Sequence, residues 1–349
     1  MLFGLYAPVP HVTVGSPEIA ASVAGAGLQL PQGAIDPAFE HARSILLEAE
    51  NVGFDIILFA ERHLGADMEA WVLASAISSL TTRIRSMVAV HPGLWHPTLI
   101  AKMASTLDRL CRGRMAINLV TGWNVEEHEM FGGDTMLGDD GRYVRAEEFV
   151  QVLHGMWTQE KFSFDGRFFQ VSNAQLLLKP ATSRPPEIFT ASRSPRGLDM
   201  VATVGDWWFL DYDKSAETTE QVMESLAKSI EDMRVRMGTR GRHVRFAFNP
   251  FICLGPSRET AMERAVRLVT PDGSDSDVRK LVERIAPATR AGCVGTPEQV
   301  LRQIDRFREI GVELLLFKFP PVVDDVRAVG EHIIAPLRRA FAPAGAALA

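Results

Sequence analysis

Short apolar runs alternate with amphipathic segments along most of this chain. The run FDIILF at 54–59 is typical of a buried strand, and Pro37 to Val52 places its apolar residues on one helical face. Continuous apolar strands separated by helices indicate a parallel sheet that is covered on both faces. This pattern predicts eight strands, at 2–8, 54–59, 85–90, 114–123, 187–190, 206–210, 244–254 and 312–319.

Eight such units without a GxGxxG fingerprint favour one α/β fold, the (β/α)8 TIM barrel, over a doubly wound sheet. The alternation breaks after the fourth strand. Residues 124–185 hold an acidic glycine-rich stretch, an amphipathic helix over 142–157 and a predicted hairpin that turns at Asp165-Gly166. We therefore predict a single barrel domain over residues 1–341, with an insertion at about 124–185, and a flexible tail at 342–349.

The fourth predicted strand carries a polar residue inside its apolar run. This strand, RMAINLVTGW at 114–123, follows a predicted helix over 102–112 that Gly113 ends. Asn118 interrupts the run, and a buried amide costs free energy unless it finds hydrogen-bond partners. Because barrel enzymes bind ligands at the carboxyl ends of their strands, we favour a ligand-facing Asn118 over a structural one.

Polar side chains also follow the second and third strands, as Glu61-Arg62-His63 and as His91. A proton-handling role is our hypothesis for His63 first and His91 second, although a buried histidine often has only a structural role. The HxH and HExxH spacings of metal sites are absent, so we predict no metal. Four tryptophans lie at predicted strand ends, where they suit either a flat ring ligand or ordinary packing: Trp95, Trp123, Trp207 and Trp208.

An anion site is predicted where the fifth strand meets its helix. Ser192 or Ser194 is placed to cap that helix, whose first N–H groups and dipole attract negative charge. The alternative is a plain helix cap. Tyr143, near the start of the insertion helix, either reaches the same ligand or packs in the core.

Composition narrows the possible functions. The chain has 349 residues, a net charge of −6 and three widely spaced cysteines without a CxxC pair, which argues against nucleic acid as a partner and against a zinc site. Signal-peptide features and a run of about 18 apolar residues are absent, so we expect a cytoplasmic protein that does not enter the membrane. The loops at 11–36 and 271–277 are candidate lids.

Several motifs together resemble the bacterial-luciferase-like flavin monooxygenases, in the branch of dimethylsulfone, alkanesulfonate and pyrimidine monooxygenases. The resemblance covers nearly the whole chain. The motifs that carry it are KMASTLDRLCRGRMAINLVTGW at 102–123, DGRY at 140–143, EEF at 147–149, GRFF at 166–169, GDW at 205–207 and GTPE at 295–298.

The resemblance implies a TIM barrel that uses reduced FMN and O2 and that forms a homodimer or homotetramer. A separate NAD(P)H:FMN reductase would supply the reduced FMN. By position it implies FMN contacts after the second strand, in the fourth strand, in the insertion and at the phosphate: Glu61 and Arg62, Asn118, Glu127, Arg142 and Tyr143, and Ser194. Substrate contacts are expected from Trp208, Asn249 and Arg327.

The implied reaction is oxidative cleavage of a C–S bond in a small sulfonate, including a sugar sulfonate, or sulfone, with release of sulfite or sulfinate. Asn249 and Phe251 stand where the alkanesulfonate enzymes carry Arg and His, which looks more like the dimethylsulfone branch. An anionic head group would still find guanidinium partners, and the candidates are Arg62, Arg193, Arg196 and Arg327.

Three alternatives remain open. One is an FMN-dependent monooxygenase that opens a C–N or C–halogen bond of a heterocycle. Another is an F420- or FMN-dependent oxidoreductase that transfers hydride, and the third is a flavin-binding barrel without catalysis.

Overall fold

The structure is a computed structural model. It describes residues 1–8, 30–64, 67–122, 124–132, 137–238, 240–268, 289–318 and 322–341. Several predictions fall outside these ranges, namely most of the loop at 11–36, Trp123, the loop at 271–277 and the tail at 342–349.

Eight parallel strands close into a barrel, which confirms the predicted TIM-barrel fold. Around the barrel each strand neighbours the next one along the chain, in the order β1, β2, β3, β4, β7, β8, β9 and β12. These strands are β1 (Leu2–Tyr6), β2 (Ile56–Phe59), β3 (Arg85–Val90), β4 (Met115–Leu119), β7 (Glu187–Ala191), β8 (Trp207–Leu210), β9 (Arg245–Phe248) and β12 (Leu314–Phe317).

Helices follow the strands, as the alternating pattern predicted. They are α1 (Pro37–Asn51), α2 (Ala70–Leu80), α3 (Pro97–Leu110), α4 (Val125–Met130), α5 (Asp139–Thr158), α6 (Pro195–Val204), α7 (Thr219–Gly238), α8 (Arg258–Leu268), α9 (Pro297–Ile310), α10 (Val323–Val329) and α11 (Ala335–Ala340). A π-helical turn, Gly330–Ile334, joins the last two. None of the helices in the described part of the chain is long and apolar enough to cross a bilayer.

The barrel strands are buried on both faces. Every residue of β2, β4, β8 and β12 is buried, which is typical of parallel strands covered by helices. The register pairs Asn118 of β4 with Ala89 of β3 on one side and with Phe189 of β7 on the other. Asn118 therefore occupies a central position in the sheet.

Local sequence signals explain where the helices begin and end. Asp36 caps α1 by accepting hydrogen bonds from the N–H groups of Ala38 and Phe39. α9 starts with a capping box between Thr296 and Gln299, and it ends at Gly311, whose φ of 104° suits glycine.

Several predicted boundaries were wrong, and two of them have a clear local cause. The helix predicted over 102–112 begins at Pro97, because His96 caps it and the ring of Pro97 suits the first helical position. The strand predicted over 244–254 ends at Phe248 and resumes as β10 (Cys253–Leu254). Pro250 lies in the break and has no N–H to donate to a neighbouring strand.

The insertion after β4 contains α4, α5 and an antiparallel hairpin, which confirms the predicted hairpin and its turn. The hairpin strands are β5 (Phe162–Asp165) and β6 (Gln170–Ala174). The buried carboxylate of Glu148 on α5 accepts hydrogen bonds from the N–H groups of Arg167, Phe168 and Phe169 at 2.8–3.2 Å. This carboxylate fixes the hairpin turn onto α5.

The chain divides into two compact units. The first comprises Met1–Ile57, Tyr212–Ala227 and Phe248–Ala349, and the second comprises Leu58–Asp211 and Lys228–Ala247. In the first unit, β1 pairs with β12, and β10 pairs with β11 (Val294–Gly295). The prediction of a single domain over 1–341 stays a prediction.

Candidate active site

The second unit contains most of the predicted site residues, placed after β2, β3, β4 and β7 and on the insertion helices. Glu61 follows β2 and is 8% exposed. Its Oε1 accepts a hydrogen bond from the indole N–H of Trp95 at 2.7 Å and lies 3.5 Å from Nε2 of His63. Glu61 and His63 are thus brought together, and Trp95 orients the carboxyl group.

Glu127 of α4 ties the insertion to the segment after β2. Glu127 is 1% exposed, and its carboxylate Oε1 lies 3.2 Å from Nε of Arg62. The same oxygen accepts the backbone N–H of His63 at 3.3 Å. A buried carboxylate requires such partners, so Arg62 and Glu127 hold each other in place.

His91 lies after β3 and is almost fully buried. Burial, together with smaller effects of the neighbouring His63 and His128, lowers its pKa to about 3. His91 is therefore neutral near pH 7 and has no imidazolium proton to donate. Burial also lowers the pKa of His63, against opposing effects of Glu127 and Glu69. The His63 ring packs edge-on against His91 and Phe131, with centroid distances of 6.2 and 4.8 Å.

A network of hydroxyl groups connects Tyr143 of α5 to the start of α6. The Tyr143 hydroxyl accepts hydrogen bonds from Oγ of Ser194 at 3.0 Å and from Nη2 of Arg142 at 3.1 Å. Its own proton is then left for Oγ of Ser192, which lies 3.1 Å away. Each hydroxyl has only one proton to give. In this arrangement the proton of the Ser192 hydroxyl is left for a further acceptor.

Ser194 caps α6, as predicted, and accepts the N–H of Gly197 at 3.2 Å. Gly197 permits this close approach. A Cβ atom there would lie 1.8 Å from Oγ of Ser192 and 2.7 Å from Cζ of Tyr143. The helix N-terminus, the hydroxyl groups and the Arg142 guanidinium together suit a phosphate.

Asn118 lies in β4 and is 9% exposed. The register places it between Ala89 of β3 and Phe189 of β7. A role for this amide in binding a ligand stays a prediction.

Trp208, predicted to contact substrate, contacts the segment between β7 and α6. Its indole N–H donates to the carbonyl oxygen of Ser192 at 3.2 Å, and its ring packs edge-on against Phe246. A substrate contact for Trp208 stays a prediction.

Asn249 and Arg327, the other predicted substrate residues, lie in the first unit. Nδ2 of Asn249 donates to the hydroxyl of Tyr6 at 3.1 Å, while its buried Oδ1 has no partner among the described residues. Arg327 pairs with Glu48 at 2.8 Å and with Asp324 at 2.9 Å.

The arginines considered for an anionic head group all form ion pairs. Arg196 binds both carboxylate oxygens of Glu147, at 2.7 and 2.9 Å. The other pairs are Arg62–Glu127, Arg193–Asp211 and Arg327–Glu48. A charged side chain that already has a carboxylate partner is a poor candidate for binding a second anion.

Sequence reasoning missed two buried residues of this region, His128 and Arg145. His128 packs against Gly93 and Gly122, where its ring atoms would lie 2.7 Å from an added Cβ. Arg145 is buried, which lowers its pKa, and its guanidinium also abuts Gly93. His128 lies on α4 and Arg145 on α5, and a polar side chain among the apolar positions of an insertion helix was the signal that could have found them. Within the described residues, no group of three or more His, Cys, Asp or Glu side chains is arranged to hold a metal ion.

The family model described as luciferase-like monooxygenase matches residues 19–314. The chain belongs to this family. The family resemblance found in the sequence motifs is therefore confirmed, and the protein is a luciferase-like monooxygenase.

Two relatives of this luciferase-like monooxygenase are named FMNH2-dependent dimethylsulfone monooxygenase. The one from Pseudomonas putida is 29% identical, over 86% of this chain and 88% of the relative. The one from Pseudomonas fluorescens (strain Pf0-1) is 27% identical, over 89% and 91%. Among solved structures, the EDTA monooxygenase from Chelativorans sp. BNC1 has a TM-score of 0.75 at 17% identity and covers 98% of this chain and 94% of its own. The last likeness supports the fold alone.

Proposed function

We propose that this luciferase-like monooxygenase is the oxygenase of a two-component system and cleaves a C–S bond of a small neutral sulfone. Its cosubstrates are reduced FMN and O2, and a separate NAD(P)H:FMN reductase supplies the FMN. Two relatives that match most of the chain carry the name FMNH2-dependent dimethylsulfone monooxygenase. Dimethylsulfone is therefore the first substrate to test.

The residues around α6 fit FMN. Tyr143, Ser192 and Ser194 form a hydroxyl network with Arg142 beside it. Gly197 leaves the space that a Cβ would fill, and the helix N-terminus favours an anion. These groups would hold the FMN phosphate. Asn118, a polar residue in an otherwise apolar strand, would bind a polar edge of the ring system.

The ion pairs of the four candidate arginines favour an uncharged substrate. Arg62, Arg193, Arg196 and Arg327 each have a carboxylate partner. A sulfonate would have to compete with these carboxylates, whereas a sulfone carries no net charge and needs only hydrogen-bond donors and apolar contact. Asn249 offers an amide in the position where the alkanesulfonate enzymes carry arginine.

The proposed reaction balances for dimethylsulfone. One sulfone, one O2 and one reduced FMN give methanesulfinate, formaldehyde, water and oxidised FMN. Reduced FMN supplies the two electrons and the activation of O2. The chain's own residues bind and orient the reactants, exclude water and move protons near Glu61 and His63.

The decisive experiment supplies the purified chain with FMN, NADH, a flavin reductase and O2. Dimethylsulfone is compared with short alkanesulfonates and a sulfonated sugar, and sulfinate, sulfite and formaldehyde are measured. We expect methanesulfinate and formaldehyde from dimethylsulfone, and no sulfite from the sulfonates.

Two outcomes would contradict this proposal. Sulfite from a sulfonate would move the substrate to the charged class and require that one ion-paired arginine be released. O2 consumption without any sulfur product would reject the organosulfur substrate and favour the cleavage of a C–N or C–halogen bond in a heterocycle.

A further inference from the structure

Glu61 and Glu127 are both buried in the second unit, and among the described residues only Glu127 is paired with an arginine. Glu127 has Arg62 at 3.2 Å and the N–H of His63 at 3.3 Å. Glu61 has a neutral indole N–H at 2.7 Å on Oε1. Its Oε2 is buried and makes no hydrogen bond to any residue that the structure describes. A buried carboxylate without a cation is unstable in the charged form.

The charged and titratable groups that face Glu61 further disfavour its ionised form. Glu69, which caps α2, and Glu127 on α4 are acidic and disfavour a second negative charge. Burial lowers the pKa of both His63 and His91, which disfavours a compensating imidazolium charge. Burial, the largest effect, raises the pKa of Glu61 to about 8, although hydrogen bonds from the Trp95 indole and from the backbone of His91 oppose this.

We propose that Glu61 is the general acid of this site, carrying its proton on Oε2, and that Trp95 is the positioning residue that holds Oε1. Neighbouring carboxyl groups with different environments commonly divide into a proton carrier and an ionised partner. Here Glu61 is the carrier, and Glu127 is paired with Arg62.

The role in turnover rests on the proposed function. A monooxygenase puts one oxygen atom of O2 into the product and the other into water, so an oxygen atom in the site must gain protons. The Glu61 O–H bond breaks, an O–H bond forms on that oxygen, and Glu61 is left as a carboxylate. After turnover the Glu61 carboxylate takes up a proton from water, which restores the O–H bond on Oε2.

The protonation state is tested on the flavin-free chain by infrared difference spectroscopy. We expect the carbonyl band of a protonated carboxylic acid at neutral pH, with its loss as the pH rises through about 8. The band should be absent from Glu61→Gln and retained in the matched variant Glu127→Gln. Its persistence in Glu61→Gln, or its absence from the wild-type chain, would overturn the proposal.

Trp95→Phe tests the positioning role and keeps the carboxyl group if Glu61→Gln fails to fold. Loss of the indole N–H removes a contact that lowers the pKa of Glu61. The acid band should therefore persist to higher pH than in the wild type. An unchanged titration would show that Trp95 is merely structural.

Proton donation is tested by the rate at which the chain oxidises reduced FMN with O2, with and without dimethylsulfone. We expect the wild-type rate to fall as Glu61 ionises above about pH 8. Glu61→Gln should be about 100-fold slower and lack this dependence. The same pH limb in Glu61→Gln would overturn the donor role. If dimethylsulfone is not consumed while the infrared and oxidation results hold, the substrate proposal fails and the Glu61 proposal stands.

Discussion

At the scale of single residues, Gly197 leaves the space in which the loop at 192–197 could bind the FMN phosphate. An alanine Cβ at this position would lie 1.8 Å from Oγ of Ser192, so Gly197→Ala must displace the Ser192–Tyr143 contact. Because Gly197 is helical, alanine is tolerated by the backbone. We expect a 10–100-fold loss of FMN affinity, about 1.4–2.7 kcal/mol, measured by titration with FMN.

The control for this prediction is Gly238→Ala, since nothing lies within 4 Å of a Cβ added there. Riboflavin, which lacks the phosphate, should bind equally to the wild type and Gly197→Ala. An equal loss of affinity for riboflavin and FMN would show that the loop does not bind the phosphate.

Asn118 provides a second residue-scale prediction, in which stability and binding change in opposite directions. Replacing the amide of a largely buried residue in an apolar strand by an apolar side chain of similar size removes the cost of keeping a polar group there. We expect Asn118→Leu to raise the free energy of unfolding by about 1 kcal/mol and to weaken FMN binding. Ile117→Leu, on the same strand, serves as the control. Lower stability of Asn118→Leu would indicate a structural role for the amide.

At the scale of elements, the alternation of apolar strands and helices was sufficient to predict all eight barrel strands and the hairpin. Boundaries failed where one residue decided them. Pro97 marks the start of α3, and Pro250 separates β9 from β10. The site was predicted less completely, because the pairing of Arg327 with Glu48 joins residues 279 positions apart. Only the folded chain shows which arginines are already neutralised.

The attachment of the hairpin to α5 gives the element-scale prediction. Glu148→Ala removes the acceptor of three backbone N–H groups and leaves them unsatisfied in a partly buried turn. We expect the free energy of unfolding to fall by about 2–4 kcal/mol, with faster hydrogen exchange at residues 167–169. Glu224→Ala, on the exposed face of α7, should change neither quantity. Unaltered exchange at the turn would reject the role of Glu148.

At the scale of the whole molecule, two buried groups make stability depend on pH. The pKa of His91 is lowered from 6.5 to about 3, so between these values the unfolded chain binds more protons. The free energy of unfolding therefore falls as the pH falls from 6.5 towards 3. The pKa of Glu61 is raised from 4.5 to about 8, so the folded chain binds more protons there. This contribution is complete below pH 4.5 and is lost as the pH rises to about 8.

Each contribution has a slope that approaches about 1.4 kcal/mol per pH unit. Denaturant unfolding of the wild type, His91→Gln and Glu61→Gln across pH measures both as differences from the wild type. The His91→Gln difference should vary only on the acidic side, and the Glu61→Gln difference should vary up to about pH 8. Differences independent of pH would show that these groups titrate alike in both states. Burial would then not shift the pKa of His91 or of Glu61, and the proton-donor role proposed for Glu61 would lose its electrostatic basis.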